Sequence, residues 1–462
     1  MRSKGITTEN TDVQRLLRER YIRRRSENRH PAPAMIIASE LPWLSGRIPP
    51  EVEVGDGKRK ITDILDDGAW AGRRCFILAG GPSLKGFDFS QLAGELTIGI
   101  NRVFEYFCPT INVAMDIDYY KWIHDGTYGP EALEKFKAYQ GVKLWIDTRR
   151  AAVHGVFVVR GSRGITTQSL HTGIYSGLHT GTGAISLAVA LGANPIYLLG
   201  YDMGYGGGNG RRRSHFHDGH PKRRSTDRTF EIFRKNTDAY AEYLTGWGAQ
   251  VINATPGSAL KNFTAGKLPD DLESPQKVPV VVSYYTPKYE GAAARLRDSL
   301  WRHSIPMDLQ AIPDRGTWEL NCGYKPEFLL AMLEKHKRPI VWLDADAVVH
   351  GRVGLSPPMG SSGISVRVRR RRGHEKGEIL SGTIVIANSR EARRTLTAWK
   401  REMEQKPRDW DQKVLQHVLV RQGVDITAGG LPDEMCAIFD EPGIEKMTPV
   451  ITHYQKSREW RR

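Results

Sequence analysis

The stretch from Val341 to Val349 constrains this chain more than any other. An apolar run ends at Leu343, Asp344 and Asp346 follow with one residue between them, and apolar residues then resume. A short apolar run bounded in this way is typical of a buried strand at the point where it leaves a sheet. Side chains two residues apart on an extended backbone point to the same side. The two carboxylates can therefore share one hard divalent cation, which in turn can hold a diphosphate. An ordinary acidic turn is the competing interpretation.

The composition predicts a folded chain with anionic ligands. With 462 residues, of which 40% are hydrophobic, the chain is long enough for two or three domains. Its formal net charge of +15 favours nucleotides, nucleic acid, anionic glycans or membrane surfaces as partners. The four cysteines lie far apart, so neither a zinc site nor a disulfide framework is expected, and a cytoplasmic location is the default. No transmembrane segment is predicted, so any membrane contact would be peripheral.

The chain divides into three segments. Residues 1–70 combine an arginine-rich tail with a proline-rich connector. The tail is either solvated or an arm that docks on nucleic acid or anionic lipid. Strand and helix patterns alternate over residues 71–268 and again over residues 277–462. This alternation predicts an α/β protein with two Rossmann-like sandwich domains in tandem.

Polar residues follow several predicted strands of the first domain at their carboxyl ends. The strand from Cys75 to Ala79, for example, runs straight into a glycine turn. Small residues let a backbone approach a ligand, and free N–H groups at a helix start favour phosphate. Open α/β sheets place their ligands at this edge. The residues predicted to bind a nucleotide at this edge are Gly80, Gly81, Pro82, Ser83, Asn101, Asp116 and Asp202.

These residues resemble those of the bacterial sialyltransferases and the related 6-hydroxymethylpterin diphosphokinase-like domains. The most specific part is a strand that ends in Gly200-Tyr201-Asp202, followed by the loop Ser214-His215-Phe216. The resemblance implies that His215 is a catalytic general base and that the glycine turn, Asn101 and Thr182 surround a nucleotide donor. The chain departs from the family in two places. Gly80-Gly81 stands where the family has Gly-Asn-Gly, and basic residues at 211–213 and 222–224 crowd the histidine loop.

The second domain resembles the GT-A glycosyltransferases that use nucleoside-diphosphate sugars. The segments that carry this resemblance are Trp342 to Asp346, Leu380 to Ile384, Asp411-Gln412 and Ile451 to Arg458. The resemblance implies that Asp344, Asp346 and His453 bind Mn²⁺ or Mg²⁺. It places Asp411 beside the donor sugar or the acceptor as a catalytic group. The residues that it implies for donor binding are Lys325, Ser381, Gly382, Lys456 and Arg458.

The expected activity is metal-dependent transfer of a hexose from a nucleoside-diphosphate sugar to a hydroxyl group, for example on a surface polysaccharide. The first domain would be a second transferase-like unit, active or kept for acceptor binding. One alternative is a phage-type enzyme that glycosylates a DNA base, in which the tail and arginine-rich loops such as Arg367 to Arg372 grip the phosphate backbone. Another alternative makes the first domain a diphosphokinase-like enzyme.

Overall fold

The computed structural model describes residues 59–147, 155–166, 168–206, 212–218, 226–272, 274, 277–351, 361–369, 377–425 and 430–459. Over these ranges the chain forms two α/β units, which confirms the predicted fold class. The basic tail, the cluster Lys222–Arg224 and the arginines at 370–372 lie outside the described residues. Within the described ranges, no helix combines the length and the apolar character needed to cross a bilayer.

The first unit is built on an 11-stranded sheet. Its order is β11-β10-β9-β2-β3-β4-β5-β6-β8-β7, with β1 paired to β6, and every pair is parallel except β7 with β8. The strands are β1 Arg59–Lys60, β2 Cys75–Leu78, β3 Leu96–Ile100, β4 Ile111–Ala114, β5 Val142–Asp147, β6 Phe157–Ser162, β7 Gln168–Ser169, β8 Gly173–Tyr175, β9 Ile196–Leu199, β10 Val251–Asn253 and β11 Thr264–Ala265.

Both faces of this sheet are covered, as expected for a parallel sheet. In β2, Cys75 and Ile77 join the core on one face while Phe76 and Leu78 join the core on the other. This alternation explains why the strand reads as a continuous apolar run. The helices of the unit are α1 Ile117–His124, α2 Pro130–Ala138, α3 Thr180–Ala190 and α4 Asp227–Gly246.

The end of the predicted connector belongs to the first core. Ile61, Ile64, Leu65 and Trp70 are buried among the residues of that core, and Trp70 is fully inaccessible. These residues follow strand β1, whose pairing with β6 fixes the chain to the edge of the sheet. Apolar side chains spaced among Asp and Gly residues gave little sign of this packing in the sequence.

The second unit has a five-stranded sheet of order β13-β12-β14-β17-β16 and a three-stranded sheet of order β15-β19-β18. Strands β12, β13 and β14 are parallel, and β17 runs antiparallel to β14. The strands are β12 Val280–Tyr285, β13 Met307–Ala311, β14 Ile340–Leu343, β15 Ala347–Val349, β16 Ile364–Arg369, β17 Glu378–Ile386, β18 Ala437–Ile438 and β19 Ile451–His453. The helices are α5 Glu290–Arg302, α6 Trp318–Gly323, α7 Lys325–His336, α8 Arg390–Gln405 and α9 Asp411–Arg421.

Arg367 and Arg369 were predicted to lie in a basic loop. This prediction is wrong, because both residues lie in β16. A register shift between Val366 and Arg367 turns the Arg367 side chain inward. There it is 4% exposed and bonded to Asp433 and Glu441, while Arg369 is paired with Glu378. A bulge of this kind re-aims a side chain within a strand. These two arginines are therefore internal ion-pair partners.

Helix α5 joins the two units. Its Asp298 accepts two hydrogen bonds from Arg59, at 2.6 and 3.0 Å. Its Trp301 indole N–H donates to the carbonyl of Gln140 at 3.0 Å, and the same ring packs edge-on against Phe157. On its other side, Ser299 accepts a hydrogen bond from the backbone N–H of Val349 at 3.0 Å. One helix thus touches both sheets.

Asp308 on β13 gives a pH-dependent contribution to stability. Burial alone would raise the pKa of this carboxyl, but hydrogen bonds from His336 and Lys335, at 2.9 and 2.7 Å, hold it well below its usual range. A lowered pKa adds stability above the unfolded-state pKa, near 4, and that stability is lost as the pH falls below it.

We expect Asp308→Asn to lower the free energy of unfolding at pH 7 by about 1–3 kcal/mol. The difference from wild type should shrink as the pH falls below about 4, because Asp308 then takes up a proton in the unfolded wild-type chain but not in the folded one, where its pKa is lowered. Urea denaturation at a series of pH values measures it, with the exposed Asp270→Asn as control. A difference that grows on acidification would contradict this assignment.

Candidate functional site

Asp344, Asp346 and His453 come together at the carboxyl end of β14. One ligand atom of each residue lies within 4.8 Å of the other two. Asp346 and His453 are 7% and 3% exposed, whereas Asp344 is half-buried. This geometry brings together the three residues that the sequence predicted as metal ligands. Two carboxylates and an imidazole at such separations can hold one divalent cation with room for a further ligand.

The pairing of two short strands brings His453 to the carboxylates. β15 begins directly after Asp346, and its first residue, Ala347, lies opposite His453 on antiparallel β19. On the neighbouring strand, a Cβ at Gly382 would lie only 3.0 Å from the His453 ring. The absence of a side chain at Gly382 is therefore what lets the imidazole sit against β17.

The imidazole of His453 is oriented as a metal ligand would be. Its Nε2 lies 2.8 Å from Thr383 Oγ1, and its buried Nδ1 makes no hydrogen bond to any described residue. Burial lowers the pKa of His453 to about 4, so the ring is neutral near pH 7. With the proton on Nε2 donated to Thr383, Nδ1 keeps a lone pair for a cation. An unsatisfied buried nitrogen of this kind fits a metal.

The two carboxylates are held differently. Asp344 Oδ1 accepts from the Trp342 indole N–H at 2.8 Å and from Lys325 Nζ at 3.2 Å. Asp346 Oδ2 accepts from the backbone N–H of Lys456 at 2.8 Å. Burial, followed by the charge of Asp344, raises the pKa of Asp346 to about 7. Two acids this close repel each other when both are charged, and a bound cation would relieve that repulsion.

Lys325 connects the carboxylate pair to Asp411. Its ammonium lies 2.9 Å from Asp411 Oδ2 and 3.2 Å from Asp344 Oδ1, and both Lys325 and Asp411 are almost fully buried. Burial alone would lower the pKa of this lysine, but the charges of Asp344 and Asp411 raise it. Asp411 therefore stands behind the lysine, with its buried carboxylate paired to the Lys325 ammonium.

The remaining predicted donor-binding residues lie around the same cluster. Ser381 is buried on β17, where its backbone N–H donates to Gln412 and its carbonyl lies 3.4 Å from Lys325 Nζ. Lys456 is buried and uses its backbone N–H on Asp346. Arg458 is exposed and pairs with Asp440. The cations predicted for phosphate thus lie on the segment that follows His453.

Sequence reasoning assigned no role to Trp342, Thr383 or Arg295. Trp342 lies two residues before Asp344 on the same strand, so its contact with that carboxylate follows from strand periodicity and could have been found. Thr383 neighbours Gly382 on β17. Arg295 is 7% exposed on α5, where its guanidinium lies over the Tyr454 ring and its charge acts on Asp346. No local pattern marks this arginine.

A second crevice lies at the carboxyl edge of the first sheet. The chain runs from β2 outward through β3, β4 and β5, and later returns to place β9 on the other side of β2. This reversal of strand order is where open α/β sheets bind ligands. Gly80 and Gly81 follow β2 there, and Asp202 follows β9.

Asp202 fixes the glycine turn. It accepts hydrogen bonds from the backbone N–H and the hydroxyl of Ser83, at 2.9 and 2.7 Å. Burial raises the pKa of this carboxyl, against those two bonds. A Cβ at Gly81 would overlap both Asp202 and the carbonyl of Gly200, and a Cβ at Gly80 would lie 3.2 Å from the His215 ring. The two glycines are thus needed for close approach.

Gly81→Ala should lower the free energy of unfolding by about 1–3 kcal/mol or more, because the added methyl meets backbone that cannot move aside. Gly246→Ala is the matched control, since a Cβ at that helical position meets nothing within 4 Å. Chemical denaturation of the full chain measures both. Equal stability of the two variants would show that the turn is not tightly packed against β9.

The other residues predicted to bind a nucleotide here differ in whether their side chains are already engaged in contacts within the protein. Asn101 has φ 54 and a buried side-chain oxygen without a hydrogen-bond partner among the described residues. The loop carrying His215 lies across the same edge, because the Phe216 N–H donates to the Gly80 carbonyl at 3.0 Å. Asp116 caps α1. His179 is the capping position of α3, which begins at Thr180.

Thr182 is completely buried within α3. Its hydroxyl lies 2.7 Å from His179 Nε2 and 3.0 Å from the Thr237 hydroxyl. Its partners are therefore inside the protein, because α3 packs that face against α4.

The chain shows only low similarity to known proteins. No family model and no curated protein sequence matches the chain. Solved structures to which it is similar include a glycosyltransferase involved in glycosylation of the major capsid of PBCV-1, at 11% identity and a TM-score of 0.31, over 39% of this chain and 93% of that one.

Two further similar structures are also glycosyltransferases by description. One is the apo form of GlyE from Streptococcus pneumoniae TIGR4, at 16% identity and a TM-score of 0.29, over 38% of this chain and 54% of that one. The other is the bifunctional WbbM in its apo form, at 12% identity and a TM-score of 0.29, over 52% of this chain and 57% of that one. The function proposed for this chain accordingly rests on the geometry of its own sites.

Proposed function

We propose that the second unit, residues 277–462, is a metal-dependent glycosyltransferase that uses a nucleoside-diphosphate sugar. The observation that supports it best is the convergence of Asp344, Asp346 and His453, with a buried imidazole nitrogen left for a cation. Mn²⁺ or Mg²⁺ at these residues would neutralise charge on the diphosphate as it leaves. No position or geometry of the ion is needed for this proposal.

The reaction would break the bond between the anomeric carbon and the diphosphate oxygen, whose electron pair stays with the leaving diphosphate. The acceptor oxygen forms the new bond to that carbon and gives up its proton. Lys325 holds the Asp344 carboxylate from behind, and Asp411 in turn holds Lys325. Two cations lie on the segment that follows His453. These side chains, Lys456 and Arg458, would share the negative charge of the diphosphate. Ser381 and Gly382 would border the sugar.

A panel of nucleotide sugars tests this function. The full chain should hydrolyse or transfer from at least one donor with Mn²⁺ or Mg²⁺, and chelation should remove that activity. Calorimetric titration of the metal alone should show one site per chain. A chain that turns over every donor equally well with and without metal, or none at all, would overturn the assignment.

We infer that the crevice of the first unit binds a second nucleotide-type ligand without metal. This is supported by its place at the reversal of strand order, by the glycine turn held by Asp202, and by the adjacent imidazole of His215, a side chain that can act as a general base. Titration of the same nucleotides in the presence of chelator tests it. Nucleotide binding that always requires metal would count against a second site.

The basic segments support a DNA-modifying function less well than the carboxylate cluster supports transfer to a glycan. Each described arginine in them has a carboxylate partner: Arg212 pairs with Asp227, Arg213 with Asp218, Arg367 with Asp433 and Glu441, and Arg369 with Glu378. Arg367 is buried as well as paired, so its guanidinium is not presented at the surface where a phosphate backbone would lie. A glycan acceptor is therefore the preferred proposal.

A further inference from the structure

Two tryptophans form a pair beside the metal cluster and have no part in the chemistry above. Trp318 is the first residue of α6, and Trp410 immediately precedes α9. Their ring centroids lie 6.4 Å apart and their planes are inclined at 56°. Both side chains are half-buried, so part of each ring is accessible. Aromatic side chains with an accessible surface are enriched at binding sites, because they bury much area with few rotatable bonds.

Trp318 reaches the cluster through Tyr289. The indole of Trp318 is hydrogen-bonded to the Tyr289 hydroxyl. Burial raises the pKa of that hydroxyl, and the nearby charges of Asp346 and Asp344 raise it further. Tyr289 is therefore close to both Trp318 and the two carboxylates.

Trp410 is connected to the cluster through the residue that follows it. It is followed at once by Asp411, whose carboxylate lies 2.9 Å from Lys325 Nζ, and that ammonium is 3.2 Å from Asp344. The Asp411 carbonyl also accepts from the buried Trp399 indole at 3.1 Å, which fixes the start of α9. The two tryptophans thus approach the same carboxylate group along two separate chains of contacts.

The geometry of the pair favours a puckered ring over a flat one. A planar base held between two aromatic faces needs them parallel and about 7 Å apart, since each contact takes about 3.5 Å. Faces inclined at 56° cannot sandwich such a base. A pyranose, in contrast, directs C–H groups outward from both faces and its edge, and can set them against two inclined rings.

Polar groups suited to sugar hydroxyls flank the pair. Glu319 follows Trp318 on α6, and the ammonium of Lys413 lies 5.8 Å from the centre of the Trp410 ring. Apolar walls with a few charged groups around them are the usual composition of a small-molecule site. Sugars require this combination because they carry hydroxyls around an apolar ring.

We propose that Trp318 and Trp410 form the subsite for a sugar ring of the carbohydrate acceptor. This inference rests on the proposed glycosyltransferase function of the second unit. It narrows the acceptor class to a glycan, because a nucleobase or a protein hydroxyl would not need two inclined aromatic rings. Trp318 and Trp410 act here as specificity-determining residues, without a part in bond breaking.

Saturation-transfer NMR on the full chain with simple methyl hexosides tests the subsite. The probes are the methyl α- and β-glycosides of glucose, galactose, mannose and N-acetylglucosamine. At least one should receive saturation in wild type, mainly at its ring C–H protons. Trp318→Ala and Trp410→Ala should reduce that signal at least about tenfold, which corresponds to about 1.4 kcal/mol of binding free energy. Trp410→Phe, which keeps an aromatic ring at this position, should retain most of the hexoside signal.

Trp247→Ala is the matched control, since that half-exposed tryptophan ends α4 in the other unit. Hexoside signals that are unchanged in both alanine variants, or the lack of a signal with every probe, would overturn the subsite. Because these measurements need neither donor nor metal, their failure is separate from failure of the donor panel. Active turnover of a donor together with Trp-independent hexoside signals would remove the subsite and leave the transferase standing.

Discussion

Asp344→Asn should reduce metal-dependent donor turnover by more than about 100-fold, since changes to residues that merely support metal ligands already cost about 10–100-fold. The asparagine keeps the shape of the side chain and can still accept from the Trp342 and Lys325 hydrogen-bond donors. It removes one of the two negative charges that a divalent cation would meet. Steady-state kinetics with the donor identified in the panel, and calorimetry with Mn²⁺ alone, measure the effect.

The control for this variant is Glu404→Gln, which removes one charge from an exposed position on α8 of the same unit. It should turn over the donor like wild type. If Asp344→Asn binds Mn²⁺ and turns over the donor as well as the control does, the carboxylate pair is only an acidic turn. Unchanged metal binding with lost turnover would instead place Asp344 on the substrate.

Lys325→Met should lower the free energy of unfolding of the second unit by about 3–5 kcal/mol. The lysine is 3% exposed and stands between Asp344 and Asp411. Its removal leaves Asp411, itself 1% exposed, as a buried carboxylate without its cation. Removing one member of a buried ion pair leaves the other charge buried and unpaired, which lowers stability more than replacing both members does. Thermal or chemical denaturation of the full chain measures the loss.

The double variant Lys325→Met with Asp411→Leu distinguishes charge from packing. It removes the stranded carboxylate along with the lysine, so it should recover a large part of the stability lost in Lys325→Met. A double variant no more stable than the single one would indicate that Lys325 acts by filling space.

Local patterns were enough to predict the metal candidates. Val341 to Leu343 form the central strand, and Asp344 and Asp346 follow it as expected. The contact with His453 could not be derived from spacing, since it depends on the antiparallel pairing of β15 with β19 across about a hundred residues. Only the family resemblance indicated it.

Where the sequence misled, tertiary packing decided. Arg367 and Arg369 alternate with valines, a period of two that favours a strand, yet the density of charge favoured a loop. Arg367 can be buried because a bulge in β16 turns it inward and the carboxylates of Asp433 and Glu441 neutralise its charge. Neither the bulge nor these distant carboxylates can be recognised from the sequence around Arg367. Thr182 was predicted as a nucleotide-binding residue from the family resemblance, and nothing local in the sequence reveals the contact of its hydroxyl with Thr237 on α4.

Helix α5 has a consequence for how the chain can be divided. A cut between residues 268 and 277 would look natural from the polar sequence there. It would nevertheless leave the Asp298 carboxylate, now buried against Arg59, without its cation, and would bare the Trp301 ring. The same helix supports β15 through Ser299 and carries Arg295 toward Asp346. A fragment of the second unit alone would therefore lose packing beneath the cluster of Asp344, Asp346 and His453, so the two halves are best produced and studied as one chain.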